Sequence, residues 1–152
     1  DKAVSSHSVM GATKRVGEII VKNAGYTVVR FGNVMGSRGS VIPIWQKQIY
    51  EGKPLTITDE RMERYMMTIE EACELVIEAC EISKGGEIIV LDMGKRINIL
   101  DFAKNVLKAT RLDLPIETIG IRSGEQLVEE IMFEEEKKRA IKKGKFFLIN
   151  GS

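Results

Sequence analysis

The chain opens on Asp1-Lys2, an acid and a base side by side. Adjacent opposite charges hold each other ionised until a bound group displaces one of them. Such a pair can give a proton to one atom and take a proton from its neighbour. Met10-Gly-Ala-Thr-Lys14 follows in a helix-patterned stretch. A lysine one turn inside a helix that packs beside a sheet edge can hold ribose hydroxyls, and its charge lowers the pKa of a nearby acid. Asn33, Ser37 and Arg38 stand in Gly32-Asn-Val-Met-Gly-Ser-Arg-Gly-Ser40, which carries three glycines. Glycine lets backbone approach a ligand closely, and a guanidinium fork matches phosphate oxygens. Arg64 and Arg122 offer the same fork further on. Taken singly, each of these groups reads as solvated surface or a surface ion pair.

Other chemistries have less to stand on. The single histidine, His7, and the two cysteines, Cys73 and Cys80, form no metal-ligand spacing. His7 reads as a loop residue. The cysteines sit seven apart in a helical pattern, about 10.5 Å along the axis, too far for a disulfide. They are expected to be reduced, core-facing thiols of a cytoplasmic protein. Lys+Arg total 23 against 22 Asp+Glu, without the broad positive field of a nucleic-acid binder. No apolar run approaches the roughly 20 residues of a membrane helix, and no signal peptide is visible. At 152 residues, 43% hydrophobic and 30% charged, the chain has the composition of one globular domain.

The elements that must position these groups alternate. The spacing predicts helices over 9–24, 42–51, 69–82, 124–132 and the stretch after Asn98, which is read as an N-cap with Asp101 at the third helical position. Tyr26–Phe31, Leu55–Ile57, Glu87–Asp92, Pro115–Ile119 and Phe146–Ile149 read as strands. Glu134–Lys145 reads as a charged, solvated helix or arm. The class is α/β, and the glycine loop after a strand and before a helix is the usual place for a ligand in an open sheet.

Several segments together resemble one family. Asp1-Lys-Ala-Val4, Val9-Met-Gly-Ala-Thr-Lys-Arg15, Arg30-Phe-Gly-Asn-Val-Met-Gly-Ser-Arg-Gly-Ser-Val-Ile-Pro43, Arg64-Tyr-Met-Met-Thr-Ile-Glu-Glu-Ala72 and Arg122-Ser-Gly-Glu-Gln-Leu-Val-Glu-Glu130 occur in the family's order across essentially the whole chain. They resemble the capsular-polysaccharide-biosynthesis branch of the extended short-chain dehydrogenase/reductases, whose members include UDP-N-acetylglucosamine 4,6-dehydratases. The resemblance implies NAD or NADP as cofactor and a UDP-sugar as substrate. It implies oxidation at C4, loss of water across C5–C6 and return of hydride to C6. Asp1 would protonate the leaving C6 hydroxyl, Lys2 would take the C5 proton, and Lys14 would grip the nicotinamide ribose. Asn33 and Val34 would approach the cofactor. Asn33, Ser37, Arg38, Arg64, Arg122 and Glu125 would line the sugar-diphosphate channel. Met10 stands where the superfamily places its tyrosine base, and a thioether cannot take that proton at neutral pH. Ser5-Ser-His-Ser8 also departs from the family's Asn-Pro-Thr-Asn.

The resemblance also sets expectations for organisation. Residues 1–40 and 69–93 are assigned to the later part of a Rossmann-type parallel sheet. Residues 41–68 and 94–152 are assigned to a smaller C-terminal sugar-nucleotide-binding subdomain. No Gly-x-x-Gly-x-x-Gly follows a strand, so the chain is expected to be the C-terminal half of such an enzyme, inactive alone, and a homo-oligomer through its exposed sheet. The whole protein could carry a membrane anchor elsewhere. The alternatives are a non-catalytic sugar-nucleotide-binding fragment, an epimerase of the same superfamily, and an unrelated α/β interaction domain.

Overall fold

A computed structural model describes residues 2–4 and 8–150. Helix α1 spans Val9–Asn23 and starts at Ser8, whose Oγ accepts the Gly11 N–H at 3.0 Å. It leads through Gly25, at φ 82°, into strand β1, Val28–Arg30. The remaining elements are β2 Asn33–Val34, α2 Val41–Tyr50, β3 Leu55–Ile57, β4 Glu63–Arg64, β5 Met66–Met67, α3 Ile69–Ile82, β6 Ile88–Leu91, β7 Ile97–Asn98, α4 Ile99–Thr110, β8 Ile116–Thr118, α5 Glu134–Arg139, β9 Ile141–Lys143 and β10 Phe146–Ile149.

The main sheet runs β1-β6-β10-β9. β1 and β6 are parallel, with Val29 opposite Ile89. The two closing strands are antiparallel, Phe147 lying opposite Val90. All four residues of β6 are buried, as expected of an apolar run covered on both faces. On one face, Ala72, Leu75 and Ala79 of α3 pack against Ile89, Leu91 and Phe146. On the other, Ile88, Val90 and Ile149 meet Ile131. A separate core gathers around Trp45 of α2 with Leu55, Ile57, Met62, Ile99, Ala103 and Leu107. The Trp45 Nε1–H donates to the Thr56 carbonyl at 2.9 Å, so its one polar atom is satisfied. Two-stranded pairs β2-β5, β3-β8 and β4-β7 complete the pairing.

Three expectations change. Residues 124–132 contain no helix; Arg64 draws their carbonyls outward, as described below. The final hairpin belongs to the main sheet, so residues 94–152 divide: β7, α4 and β8 pair and pack with the smaller core, whereas β9 and β10 extend β6. The charged tail is not wholly solvated either, because Glu136 is buried.

The cysteines are the fourth. Cys73 and Cys80 are exposed. Each is one position beyond a buried alanine, Ala72 or Ala79, and one step turns about 100° round a helix. Val76 falls off the buried face with them. Both thiols should therefore react under native conditions. Peptide mapping after brief alkylation of the folded protein is expected to find Cys73 and Cys80 modified; protection of either would contradict this packing.

Candidate functional site

Two concavities border the end of β1, one reaching Phe31 and the other Asn33. The first is a cavity of about 210 Å³ between the loop after β2, the start of α2, the end of β3 and the segment 119–125. Gly32 makes the junction possible. A Cβ there would stand 2.5 Å from the Tyr65 Cβ and 2.8 Å from the Tyr65 carbonyl oxygen. With hydrogen in its place, Asn33 N–H reaches that carbonyl at 2.8 Å, and Met35 N–H reaches the Met67 carbonyl at 2.8 Å. The loop is thereby pinned to β5, then turned by Gly36 and Gly39 at φ 76° and 79°.

Asn33, Val34, Arg64, Arg122 and Glu125 all line this cavity, so five of the residues singled out from sequence converge. Their roles differ. Glu125 is oriented by two donors: Thr58 Oγ1–H at 3.3 Å and the Arg122 backbone N–H at 3.1 Å. The Arg122 side chain belongs to an exposed residue. Arg64 is 6% exposed, and its guanidinium is committed to building the wall. Nη1 donates to the carbonyls of Glu63 and Leu127 at 2.8 and 3.0 Å, and Nη2 to that of Gln126 at 2.7 Å. Its Nε stands 3.4 Å from Glu129 and its Nη2 3.8 Å from Glu125. Arg64 lines the cavity and brackets the 125–129 segment that forms its wall. Ser37 and Arg38 are exposed on the bordering loop and do not line the cavity.

Sequence reasoning missed Ser40. It is the N-cap residue of α2, yet its side chain makes no capping bond, and its Oγ is buried without a partner among the described residues. Pro43, third in the helix, has no N–H for Ser40 to cap; the first turn of α2 borders the cavity at Val41 and Ile42, a setting that favours anionic oxygens. A serine just before Val41-Ile-Pro43 was a legible helix start; that its hydroxyl is buried beside a cavity without a partner among the described residues was not.

The second concavity is a groove along β1, about 730 Å³, lined by Lys2, Thr13, Lys14, Gly17, Glu18 and the strand residues through Phe31. It brings Lys2 and Lys14 together. Phe31 lines the groove and Asn33 the cavity, so the two are no more than about 7 Å apart along the backbone. Met10 is exposed and lines neither. Asp1 and His7 lie outside the described residues. Among the described residues, no three histidine, cysteine or carboxylate groups stand close enough to hold a metal ion, and no helix is long and apolar enough to cross a membrane.

Beneath the groove, Arg30 joins three elements. Its Nε and Nη2 donate to Glu18 of α1 at 2.7 and 2.5 Å. Its Nη1 and Nη2 donate to Glu136 of α5 at 2.7 and 3.0 Å. Burial opposes the arginine's charge, but the two carboxylates outweigh it and raise its pKa. Burial also pushes the Glu136 carboxyl up. The hydrogen bonds from Arg30 and the Phe133 N–H, with the charges of Arg30 and Arg15, more than offset that and hold it below the usual glutamate range.

With this geometry in hand, comparison with known proteins places the chain. A family model described as polysaccharide biosynthesis protein matches residues 1–151. The chain belongs to this family. It is 51% identical over 145 residues to the probable polysaccharide biosynthesis protein EpsC of Bacillus subtilis, a match covering 90% of this chain and 24% of EpsC. Pen from Bacillus thuringiensis, a crystal structure, superposes with a TM-score of 0.90 at 40% identity, over 97% of this chain and 50% of that one. A UDP-glucuronic acid 4-epimerase from Bacillus cereus, solved with UDP-glucuronic acid and NAD, superposes at 0.71 with 25% identity, over 80% of this chain and 42% of that one. The fold is α/β of the Rossmann type, as in these solved structures. The chain spans about a quarter of EpsC and half of Pen.

Proposed function

We propose that the chain supplies the sugar-nucleotide site, and part of the catalytic machinery, of an NAD(P)-dependent enzyme that modifies a UDP-sugar for surface polysaccharide synthesis. The observation that carries this is the closeness of the two concavities, one lined by Phe31 and the other by Asn33. One has donors that suit a diphosphate: the start of α2 and the Arg122 fork, both lining the cavity. The other presents Lys2 and Lys14 to whatever lies along β1.

The groove suits a nicotinamide ribose. Lys2 and Lys14 both line it, and nothing lies within 4 Å of where a Cβ of Gly17 would stand, so the helix leaves room there. When bound, the cofactor supplies a hydride acceptor and returns the hydride. Lys14 then donates to the ribose hydroxyls, and its charge favours deprotonation of the sugar C4 hydroxyl. Met10 takes no proton, so the C4 base is another group. Once C4 is a ketone, the C5 proton is acidic; Lys2 takes it as the neutral amine while Asp1, as the protonated acid, gives its proton to the C6 hydroxyl, which leaves as water, so the pair ends the step as ammonium and carboxylate. The finer reading is therefore a UDP-N-acetylhexosamine 4,6-dehydratase. An epimerase is the second reading, supported by the UDP-glucuronic acid 4-epimerase likeness. It needs no acid and base at C5 and C6, so the Asp1-Lys2 pair favours elimination.

The test begins with the nucleotide. UDP titrated into the protein by calorimetry should bind, and Arg122→Ala should weaken it about 10-fold, the loss of one charge-assisted bond. No binding of UDP, or no change in the variant, would remove the basis of this reading. Incubation of the full-length protein with a UDP-N-acetylhexosamine and NAD(P) separates the two readings. A product lighter by one water marks a dehydratase, and an isomer of unchanged mass an epimerase.

A further inference from the structure

We propose that Glu136, on α5, is a positioning residue for Lys14. Acting through Arg30 and Glu18, it sets the rotation of α1 and so the place of the Lys14 ammonium in the groove. This rests on the reading in which Lys14 holds a nicotinamide ribose.

Within this chain, little else fixes helix α1. Gly11 and Glu18 are its buried residues, while Val16, Ile19 and Ile20 of its apolar stripe are exposed. Non-directional apolar contact therefore does not choose its angle about its own axis. A bidentate carboxylate–guanidinium pair does, because both oxygens must meet a planar fork. Glu18 is that carboxylate. It is four residues after Lys14, on the same helix face, and both line the groove. A shift of one carries the other with it.

Arg30 can hold Glu18 only if Arg30 is itself held. Its opposite edge is occupied by Glu136, and its Nη1 also donates to the Ile131 carbonyl at 3.3 Å. Glu136 is fixed in turn by the Phe133 N–H at 2.8 Å. The Phe133 ring lies 4.8 Å from the Arg15 guanidinium and 5.8 Å from that of Arg30. Arg15 closes the set by donating to Glu18. Two positive and two negative groups are thus arrayed with Arg30 at the centre. Removing the Glu136 charge leaves both arginines on one carboxylate. The guanidinium must then swing toward it, and Glu18 and the helix turn with it.

The experiment uses the full-length protein with Glu136→Gln, which keeps the shape and removes the charge. NADH affinity, followed by its fluorescence, is expected to fall between about 10- and 100-fold, as for a group misplaced by an ångström. UDP affinity is expected to stay the same. In a Lys14→Ala background the substitution should have no further effect on NADH, because the residue it positions is gone. Unchanged NADH affinity in Glu136→Gln would overturn the proposal. So would an equal loss with and without Lys14, which would mark a general structural role. Glu136→Asp keeps the charge one methylene short. It should recover part of the affinity, and it carries the same comparison if the glutamine variant does not fold. If the wild type binds no NADH, the functional reading fails, and positioning is judged by the acetylation rate of Lys14 mapped by peptide mass. A changed rate at Lys14 with Lys47 unaffected supports it, and equal rates overturn it.

Discussion

Replacing Arg30 with methionine is expected to cost about 3–5 kcal/mol of folding stability, the range for breaking a buried ion network by removing one partner. Arg30, Glu18 and Glu136 are 3%, 6% and 3% exposed, and the methionine would leave two carboxylates buried at one spot with only Arg15 near. Urea unfolding of wild type and variant measures the loss; less than about 1 kcal/mol would mean the carboxylates reach water without the arginine. The same network sets an acid limb. The Glu136 pKa is lowered on folding, so its contribution is complete above the ordinary glutamate value and is lost as pH falls through the lowered one. Stability should drop over that acid range in the wild type and show a smaller drop in Arg30→Met. Replacing Arg30, Glu18 and Glu136 together by apolar residues should recover much of the loss, since an apolar set of similar volume is often as stable as a buried ion network. That recovery would separate stability from the positioning that the charged set provides.

This network also marks where reading the sequence stopped. Glu134–Lys145 has the look of a solvated charge run, and nothing local distinguishes Glu136 from Glu134 or Glu135. What buries it is Arg30, 106 residues earlier. The same holds for 124–132. Its pattern suits a helix, but the Gln126 and Leu127 carbonyls accept from Arg64, and their partner is more than sixty residues away. Signals that are local were legible. Asn98 caps α4 by accepting the Asp101 N–H at 3.1 Å. Thr68 and Glu71 form a reciprocal capping box that starts α3 where the spacing predicts it. The strand Ile88–Leu91 was legible as an unbroken apolar run. At the site, the motif order brought Asn33, Val34, Arg64, Arg122 and Glu125 to one cavity, but residue type alone could not tell that Arg64 spends its donors on backbone. Ser40 was missed because an N-cap serine ordinarily turns its hydroxyl to its own helix.

The largest effects on chemistry are expected at Lys14 and at the Asp1-Lys2 pair, and they should fall on different steps. Lys14 and Lys2 line the same groove but are twelve positions apart in sequence and belong to different elements, α1 and the turn at 2–4. In the proposed dehydratase reading, an ammonium at Lys14 would act on the ribose and on the C4 hydroxyl, before any water is lost. Lys14→Ala in the full-length protein should therefore slow C4 oxidation by ~10²-fold or more, the usual loss for a group that governs a proton transfer. Lys2→Ala and Asp1→Asn touch atoms that matter only after the ketone has formed. They should leave oxidation intact and slow elimination by ~10²-fold or more. A single-turnover experiment resolves the two steps. Absorbance at the reduced-nicotinamide band reports hydride transfer, and mass spectrometry reports loss of water. In the Lys2 and Asp1 variants the band should rise and persist with no dehydrated sugar, whereas in Lys14→Ala it should rise slowly from the start. Wild-type elimination in Lys2→Ala and Asp1→Asn, with oxidation intact, would assign the acid–base work to other residues. It would also favour the epimerase reading, in which C5 keeps its hydrogen and C6 its hydroxyl and the pair at the start of the chain has no proton to move.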